Sequence, residues 1–527
     1  MTSLPTFSKC VLFIYLLFNF REIQAQEFKI SKVIKSELSE SVKDKDLLKK
    51  EFTSIIGVAY DSLGNNYMIK TDPRKADKLG ETSLEIYSSK LSLLKSIKLK
   101  LPVESDTYYT ILNYCTLDNK PTLFYYQYNK NSDKKILYFV QFGPDGELSR
   151  KGKMVEVNTK TEQQGLFGII YSIRLTKFMV FVYPPMNNGD NFRANCFIFN
   201  DKLERINKFE IENDFTYEDS YNSDWMLTED GVPLCFYEIK RRNHIKGYGS
   251  TMRFIKLYEE PKSPTTYNLD LLKKKITSLI LSIDDNKDLT FVGNYVAQEK
   301  SLSQGGVFVK IGRQEKKVKV AKLYPYSADV LQFFKMKPKD VEGNKGIENQ
   351  YPVWAGGSTS MNSFLVLGNS EREVGQGEDL SYSNSYIIYK FDPSGNVIFQ
   401  KVHPNHCIAS FSNEGIFPKS FVSGDELAIL SNVNEDDIEK IKNGIKYGSK
   451  LTGCGTSIHG SGLGKNAYAA IYLTTYNSKG QAKYVRVNDP KNHPVFMSNC
   501  YTDIRVPKSI TIGVLGKQKY GLMKIEF

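Results

Sequence analysis

A short hairpin signature recurs along this chain and constrains its fold more than any other feature. In each copy a strand ends at an aromatic residue, four turn residues follow, and a second strand returns. The five clearest copies are Tyr87-Ser-Ser-Lys-Leu, Phe142-Gly-Pro-Asp-Gly, Phe199-Asn-Asp-Lys-Leu, Phe391-Asp-Pro-Ser-Gly and Tyr476-Asn-Ser-Lys-Gly. Such self-similarity predicts an architecture of repeated units rather than one enlarging core.

The spacing of the copies indicates the size of the unit. Two weaker copies turn at Tyr258 and Ile311, and successive copies from Tyr87 to Ile311 lie 53 to 59 residues apart. The last two steps, to Phe391 and Tyr476, are 80 and 85 residues. Two further β-type segments precede the hairpin in each unit, which gives four strands per repeat. A four-stranded repeat of about 50 residues is a propeller blade.

We therefore predict an all-β fold: a β-propeller of about eight four-stranded blades, with seven as the alternative if one weak copy is misread. After Asn499 the chain offers about three strands, and Phe28 to Ile34 reads as a lone strand near the start. Pairing this first strand with the last three would close the ring and remove two exposed edges. Residues 26–527 then form a single propeller domain.

The first 25 residues are typical of an export signal. Lys9 precedes an apolar run from Cys10 to Phe20, and Ala25 supplies a small residue at the cleavage point. The run is too short to span a bilayer, which takes about 20 apolar residues, and no later segment is long enough. We expect residues 1–25 to be a signal peptide and the mature protein to be exported, periplasmic or extracellular, monomeric and without a transmembrane segment.

The charge balance bears on the class of partner. The chain has 71 Lys and Arg against 59 Asp and Glu, a net charge of +12. Only 13 of the basic residues are Arg, whereas proteins that read bases and phosphates rely on the bidentate guanidinium group. The composition therefore disfavours a nucleic acid partner, and alternating basic and apolar residues read as solvated strand faces.

Two copies of the repeat carry a family resemblance. Phe391-Asp-Pro-Ser-Gly-Asn-Val-Ile-Phe and Phe142-Gly-Pro-Asp-Gly-Glu-Leu, with an export signal ending in Ala-Gln, resemble the repeats of secreted bacterial β-propellers, common among Bacteroidota. The resemblance spans nearly the whole mature chain but concerns the blade pattern alone. It implies the fold and brings no catalytic residues with it.

Four long insertions interrupt the otherwise tight repeats, at about 323–350, 371–384, 401–418 and 433–466. In a propeller, the connections between blades and the loops between the second and third strands emerge on one face, around the channel mouth. All four insertions fall in such connections. Long loops in a compact array are typically functional or disordered, so we predict that this face binds the ligand or partner.

The insertions hold most of the chemically capable residues. Aromatic candidates for ligand contact are Tyr324, Tyr326, Phe333, Phe334 and Trp354, although most aromatic residues of a propeller pack between its blades. One insertion carries His403, His406 and Cys407, and another carries Cys454 and His459. These His and Cys residues match the ligand types of a zinc site. The plainer interpretation is that a Cys407–Cys454 disulfide joins two long loops of an exported protein. A third possibility is that these residues form neither a zinc site nor a disulfide. We expect the disulfide, no metal and no cofactor.

Three function classes remain open. The first is a non-catalytic recognition or scaffold propeller that binds a protein or glycan partner of the cell envelope on the long-loop face. The second is a carbohydrate-active or other hydrolytic enzyme on the same scaffold, because function belongs to sites rather than folds. The third is a metal- or redox-dependent envelope protein. The missing catalytic motifs and the clustered insertions favour the first class.

Overall fold

Eight four-stranded units follow one another along the chain and form the blades of an eight-bladed β-propeller. The all-β propeller and the preferred blade count predicted from the sequence are confirmed. The computed structural model describes residues 32–37, 39–40, 54–71, 82–101, 107–240, 251–269, 274–296, 302–337, 339–340, 345–348, 350–375, 378–410, 418–443, 451, 454–456, 469–488, 495–501, 509–516 and 519–527. The expected signal peptide, 1–25, lies outside them.

The strands follow the repeat. Before the first blade come β1 (Lys32–Lys35) and β2 (Ser39–Glu40). Blade one consists of β3 (Ser54–Tyr60), β4 (Asn66–Thr71), β5 (Ser83–Tyr87) and β6 (Leu93–Lys98), and blade two of β7 (Thr107–Leu117), β8 (Lys120–Asn129), β9 (Lys134–Phe142) and β10 (Leu148–Asn158). Blade three consists of β11 (Leu166–Tyr171), β12 (Lys177–Tyr183), β13 (Asn191–Asn200) and β14 (Arg205–Thr216), and blade four of β15 (Ser220–Leu227), β16 (Pro233–Lys240), β17 (Thr251–Leu257) and β18 (Thr265–Asn268).

The second half of the ring carries the additional elements. Blade five consists of β19 (Lys275–Asp284), β20 (Asp288–Val296), β21 (Ser303–Gly312) and β22 (Lys317–Pro325), and blade six of β23 (Gln350–Gly357), β24 (Ser363–Gly375), β25 (Glu378–Phe391) and β26 (Val397–Ser410). Blade seven consists of β27 (Lys419–Ser423), β28 (Glu426–Asn434), β30 (Ala469–Tyr476) and β31 (Ala482–Arg486), and blade eight of β32 (Val495–Tyr501), β33 (Ser509–Gly516) and β34 (Lys519–Glu526) with β1. The connections contain helix α1 (Ala328–Phe333), helix α2 (Glu435–Lys442) and strand β29 (Cys454–Thr456). Within the described residues, no helix combines the length and the apolar character needed to cross a membrane.

The N-terminal strand closes the ring, as predicted. β1 pairs antiparallel with β34, with Val33 opposite Ile525, and becomes the outermost strand of blade eight. The Ser36 N–H then donates to the Leu522 carbonyl at 3.0 Å, and the Leu522 N–H donates to Ser36 Oγ at 2.9 Å. Of the strand predicted at 28–34, residues 28–31 lie outside the described part of the chain.

Blade eight also packs directly on blade one. Glu85 of blade one accepts hydrogen bonds from Tyr520 at 2.8 Å and from Tyr87 at 2.6 Å, and its carboxylate lies 2.6 Å from Lys70 Nζ. Apolar side chains of both blades surround this polar group, among them Ile55, Val58, Met68, Leu91 and Leu522. The first and last units of the ring are therefore joined by both core packing and charge.

The recurring turn is a contact between neighbouring blades. The Asp392 N–H donates to the Asn396 carbonyl and the Gly395 N–H donates to the Asp392 carbonyl, each at 2.9 Å. Gly395 has φ +80°, and a Cβ at this position would lie 2.5 Å from Phe308 of the preceding blade. Leu91 and Leu203 hold the same turn position in other copies, also with positive φ, and both are buried. Each turn thus presses its last residue against the neighbouring core.

Charge is unevenly distributed across each blade. The eight outermost strands together carry fifteen Lys or Arg residues against four Asp or Glu. The eight innermost strands carry two Lys and two Asp. Lysines on edge strands oppose edge-to-edge pairing between molecules. Nearly all of the net charge therefore lies on the outer rim, around a channel wall with little charge.

Candidate functional site

Alternating strand direction divides the connections between two faces of the ring. Turns from the first to the second and from the third to the fourth strand of a blade share one face, which we call the turn face. The remaining connections share the opposite face, which we call the connection face. All four insertions, 323–350, 371–384, 401–418 and 433–466, interrupt connections of this second kind, so the described parts of each belong to the connection face.

The insertion at 371–384 continues the strands of blade six. β24 and β25 remain paired from Ser370 opposite Ser383 to Gly375 opposite Glu378. The pairing between β23 and β24 ends where Gln350 lies opposite Asn369, so β24 runs six residues beyond it. At about 3.4 Å per residue, the hairpin extends roughly 20 Å past the innermost strand.

Two other insertions join this hairpin. β26 follows β25 as far as Ser410, which lies opposite Leu380. β29, which comes from the insertion of blade seven, pairs with β26 in parallel and places Cys454 opposite Cys407. We call the resulting four-stranded sheet, residues 370–375, 378–384, 405–410 and 454–456, the blade-six extension.

A proline and a β-bulge mark the base of the extension. The register between β25 and β26 shifts between Asn384 and Tyr386, at the level of Pro404, which lacks an N–H to donate. Ser385 Oγ compensates by accepting from the Asn405 N–H at 3.1 Å and donating to the Asn405 carbonyl at 3.3 Å. The strand therefore continues through a sequence, His403-Pro-Asn-His, that reads as a loop.

The extension has the opposite charge to the rest of the chain. Its hairpin sequence contains four carboxylates and one arginine, at Glu371, Glu373, Glu378, Asp379 and Arg372. Helix α2, in the insertion of blade seven on the same face, adds four acidic residues and two lysines. On a chain of net charge +12, this part of the connection face is therefore acidic.

Helix α2 is fixed by capping and by packing. The Asp436 N–H donates to the side chain of Asn434 at 3.0 Å, which satisfies one of the unpaired N–H groups of the first turn. Ile438 and Ile441 are buried with Val433 and Tyr472. The helix thus belongs to the core of blade seven on one side.

Most of the aromatic candidates pack in the interior. Tyr326 is 4% exposed and shares a 2.6 Å hydrogen bond with Ser303, and burial raises its pKa. Tyr324 is half-buried, and its hydroxyl donates to the Gly395 carbonyl. Phe334 packs on the same core between blades five and six, and its ring meets Phe333, which is half-buried, edge to face. These side chains therefore mainly pack helix α1 against the core between blades five and six.

Trp354 lies on the innermost strand of blade six. Its indole is half-buried against the core shared with blade seven, and a Cβ on Gly356 would lie 2.5 Å from the ring. Gly356 thus leaves the space that the indole occupies. Among the five aromatic candidates, Trp354 is the one placed on the channel wall.

The structure describes two of the three histidine candidates, His403 and His406. His403 is 1% exposed, with Nδ1 2.9 Å from the Tyr476 hydroxyl and Nε2 3.4 Å from Ser431 Oγ. Burial lowers its pKa to about 4. His406 lies opposite Asn384 in the extension, and His459 lies outside the described residues. Among the described residues, no three His, Cys, Asp or Glu side chains are grouped to hold a metal ion.

The channel wall offers two carboxylates on its described strands, Asp224 and Asp284. Asp224 accepts a 3.1 Å hydrogen bond from Ser278, and burial raises its pKa. Asp284 accepts from the backbone N–H groups of Glu229 at 2.6 Å and Asn286 at 2.8 Å. Both carboxylates therefore already take part in hydrogen bonds that join strands or blades.

Sequence reasoning located the insertions but missed their pairing into one sheet. The available signal is the alternation of polar and apolar residues from Asp379 to Ser383 and the Gly-Gln-Gly sequence at 375–377 that precedes it. The pairing of β29 with β26 leaves no local pattern, because the two strands lie far apart along the chain.

Comparison with known proteins identifies no family for this chain, and its similarity to solved structures is distant. No protein-family model matches the chain, and no curated protein matches it in sequence. The propeller domain of the Trilobed protease from Pyrococcus furiosus is 11% identical, with 84% of this chain and 97% of that chain covered and a TM-score of 0.37.

Two further solved structures show the same range of similarity. An acylaminoacyl peptidase from Pyrococcus horikoshii is 10% identical with a TM-score of 0.36; the match covers 88% of this chain but only 58% of the peptidase. A polysaccharide lyase, an ulvan lyase, is 8% identical with a TM-score of 0.34, and 80% of this chain and 90% of the lyase are covered.

Proposed function

We propose that this protein is a non-catalytic recognition or scaffold propeller of the cell envelope or secreted space, which binds a protein partner through the blade-six extension. The observation that carries the proposal is the edge of β24 from Ser370 to Gly375, with which none of the described strands pairs on the β23 side. An extended segment of a partner can add to such an edge, where main-chain hydrogen bonds provide affinity.

The charge of the extension favours a basic segment. Glu371 and Glu373 lie on the open strand, and Glu378 and Asp379 follow on its neighbour. Complementary charge raises association rates and selects among partners. The basic outer rim would at the same time disfavour binding of that segment to the outermost strands.

Binding to purified protein tests the proposal. The parent would first capture a partner from an envelope extract, and affinity for the purified partner would then be measured by calorimetry. A trimmed variant, with residues 370–384 replaced by an Asn-Gly turn, should fold as the parent does and bind at least about tenfold more weakly. The same loss is expected for Glu371→Lys combined with Glu373→Lys.

The matched control reverses two charges on the turn face, Glu147→Lys with Asp201→Lys, and should bind as the parent does. If the trimmed variant binds normally and the turn-face variant does not, the proposed face is wrong. If the purified parent releases sugars from an envelope glycan and Asp224→Asn abolishes the release, the alternative of a carbohydrate-active enzyme replaces the proposal.

A further inference from the structure

β26 and β29 form the one parallel pair among the described strands, and the pair brings two cysteines together. Cys407 lies opposite Cys454, Ile408 opposite Gly455, and Ala409 opposite Thr456. Between the two cysteines the chain passes through β27, β28 and α2 of the next blade. The pair therefore connects blade six to the insertion of blade seven.

The backbone meets the distance condition for a disulfide. Neighbouring strands lie about 4.7 to 4.9 Å apart, and bridged cysteines have Cα atoms about 4.4 to 6.8 Å apart. Positions directly opposite each other in a ladder also share a face of the sheet. The register alone thus brings Cys407 and Cys454 within bridging range without movement of either strand.

The other described cysteines have different environments. Cys196 and Cys235 are thiols fully buried in the core between blades three and four. Cys115 is a thiol as well, and its sulfur lies 3.2 Å from the Tyr171 hydroxyl. Burial raises the pKa of the Cys196 and Cys235 thiols, which disfavours the reactive thiolate form.

We propose that Cys407 and Cys454 form a disulfide that fastens β29, and with it the insertion of blade seven, to the blade-six extension. Each thiol gives up its proton as the sulfur–sulfur bond forms. The two electrons pass to an acceptor disulfide, such as oxidised glutathione or the disulfide of a dithiol oxidase, which is reduced to two thiols. With only three residues, β29 can form few main-chain hydrogen bonds to β26, and the covalent bond adds a restraint at this end of the insertion.

Peptide mapping tests the bridge without reference to function. The full chain would be incubated with excess oxidised glutathione, its remaining thiols alkylated, and the protein digested with trypsin without reduction. We expect one linked species that joins residues 402–419 to residues 451–465, and reduction should release the two peptides. Alkylation of both thiols in folded protein would overturn the proposal, as would a link from either peptide to residues 492–505, which contain Cys500.

Limited proteolysis tests the fastening. A specific protease site inserted after Gly444 lies between the two cysteines. After cleavage, the halves of the oxidised protein should stay together on a denaturing gel without reductant and separate with it. Cys454→Ser should separate under both conditions, and the matched control Cys196→Ala should behave as the parent does. Separation of the oxidised parent without reductant would refute the proposal.

Discussion

His403 joins blades six and seven as a neutral, buried imidazole held by Tyr476 and Ser431. Its pKa, about 4 in the folded protein against 6.5 for the free side chain, means that the unfolded chain binds the proton more readily. The contribution of His403 to the free energy of unfolding is therefore fully present above pH 6.5 and is lost as the pH drops toward 4. The expected loss from this group between pH 7 and pH 5 is about 2 kcal/mol.

Urea unfolding of the parent and of His403→Gln at the two pH values would measure this loss. Glutamine can still form hydrogen bonds but does not titrate, so the variant should lose about 2 kcal/mol less than the parent. Carboxylates elsewhere affect both proteins alike. Equal losses in the two proteins would show that His403 does not titrate as expected.

Lys390 is a second buried ionisable residue, and its ion-pair partner contributes to the stability of the fold. Its side chain is fully buried, and Nζ lies 2.6 Å from Asp425 Oδ2 on the first turn of blade seven. Asp425→Ala leaves the buried ammonium group its 3.1 Å hydrogen bond to the main-chain carbonyl of residue 425 but removes its counter-ion. We therefore expect a loss of about 2 to 3 kcal/mol, less than for a fully buried pair because Asp425 is partly exposed.

A companion variant separates the destabilisation caused by leaving one charge without its partner from the net contribution of the ion pair to the free energy of unfolding. Lys390→Met removes the buried charge and fills the space with apolar atoms, so it should cost less than Asp425→Ala. Chemical denaturation of both variants gives the comparison. A greater loss for Lys390→Met would mean that the pair itself, rather than the buried charge left behind, is the stabilising element.

At the scale of elements, the repeated turn carries the contact between blades. Gly395→Ala forces a side chain into positive φ and into Phe308, so we expect a loss of about 1 to 3 kcal/mol. A Cβ at Gly189 would have nothing within 4 Å, and Gly189→Ala should change stability by less than about 0.5 kcal/mol. Thermal unfolding of both variants decides the matter, and equal effects would refute the packing role of the turn.

These elements also show what sequence can and cannot reveal. The turns were predictable because their chemistry is local: an aromatic residue, a polar start and a final Gly or Leu repeat in five of the eight blades. The role of Tyr326 was not predictable, because a sequence does not distinguish an aromatic side chain that packs in the core from one that contacts a ligand. The sequence placed His403 in a loop insertion, whereas it lies in a strand, and the bulge that accommodates Pro404 in that strand depends on Ser385 of the neighbouring strand.

At the scale of the whole molecule, the ring depends on β1. Deleting residues 28–34 removes most of this strand and exposes the edge of β34. The thermal unfolding midpoint should fall by several degrees, and the molecules should associate more readily. A variant that lacks only residues 1–25 serves as the control. An unchanged midpoint after the longer deletion would show that the ring does not need this strand.

Closure by β1 also sets the order of events during synthesis. The strand is synthesised before any of the blades, but its partner β34 lies almost the full described length of the chain away. Contacts between such distant segments form slowly, because a long loop must close first. During translation β1 therefore waits unpaired while successive blades form, and blade eight is completed last. Any delay in delivering β34 prolongs the time for which the unpaired edge of β1 and the apolar face of blade one that blade eight covers are exposed to other chains.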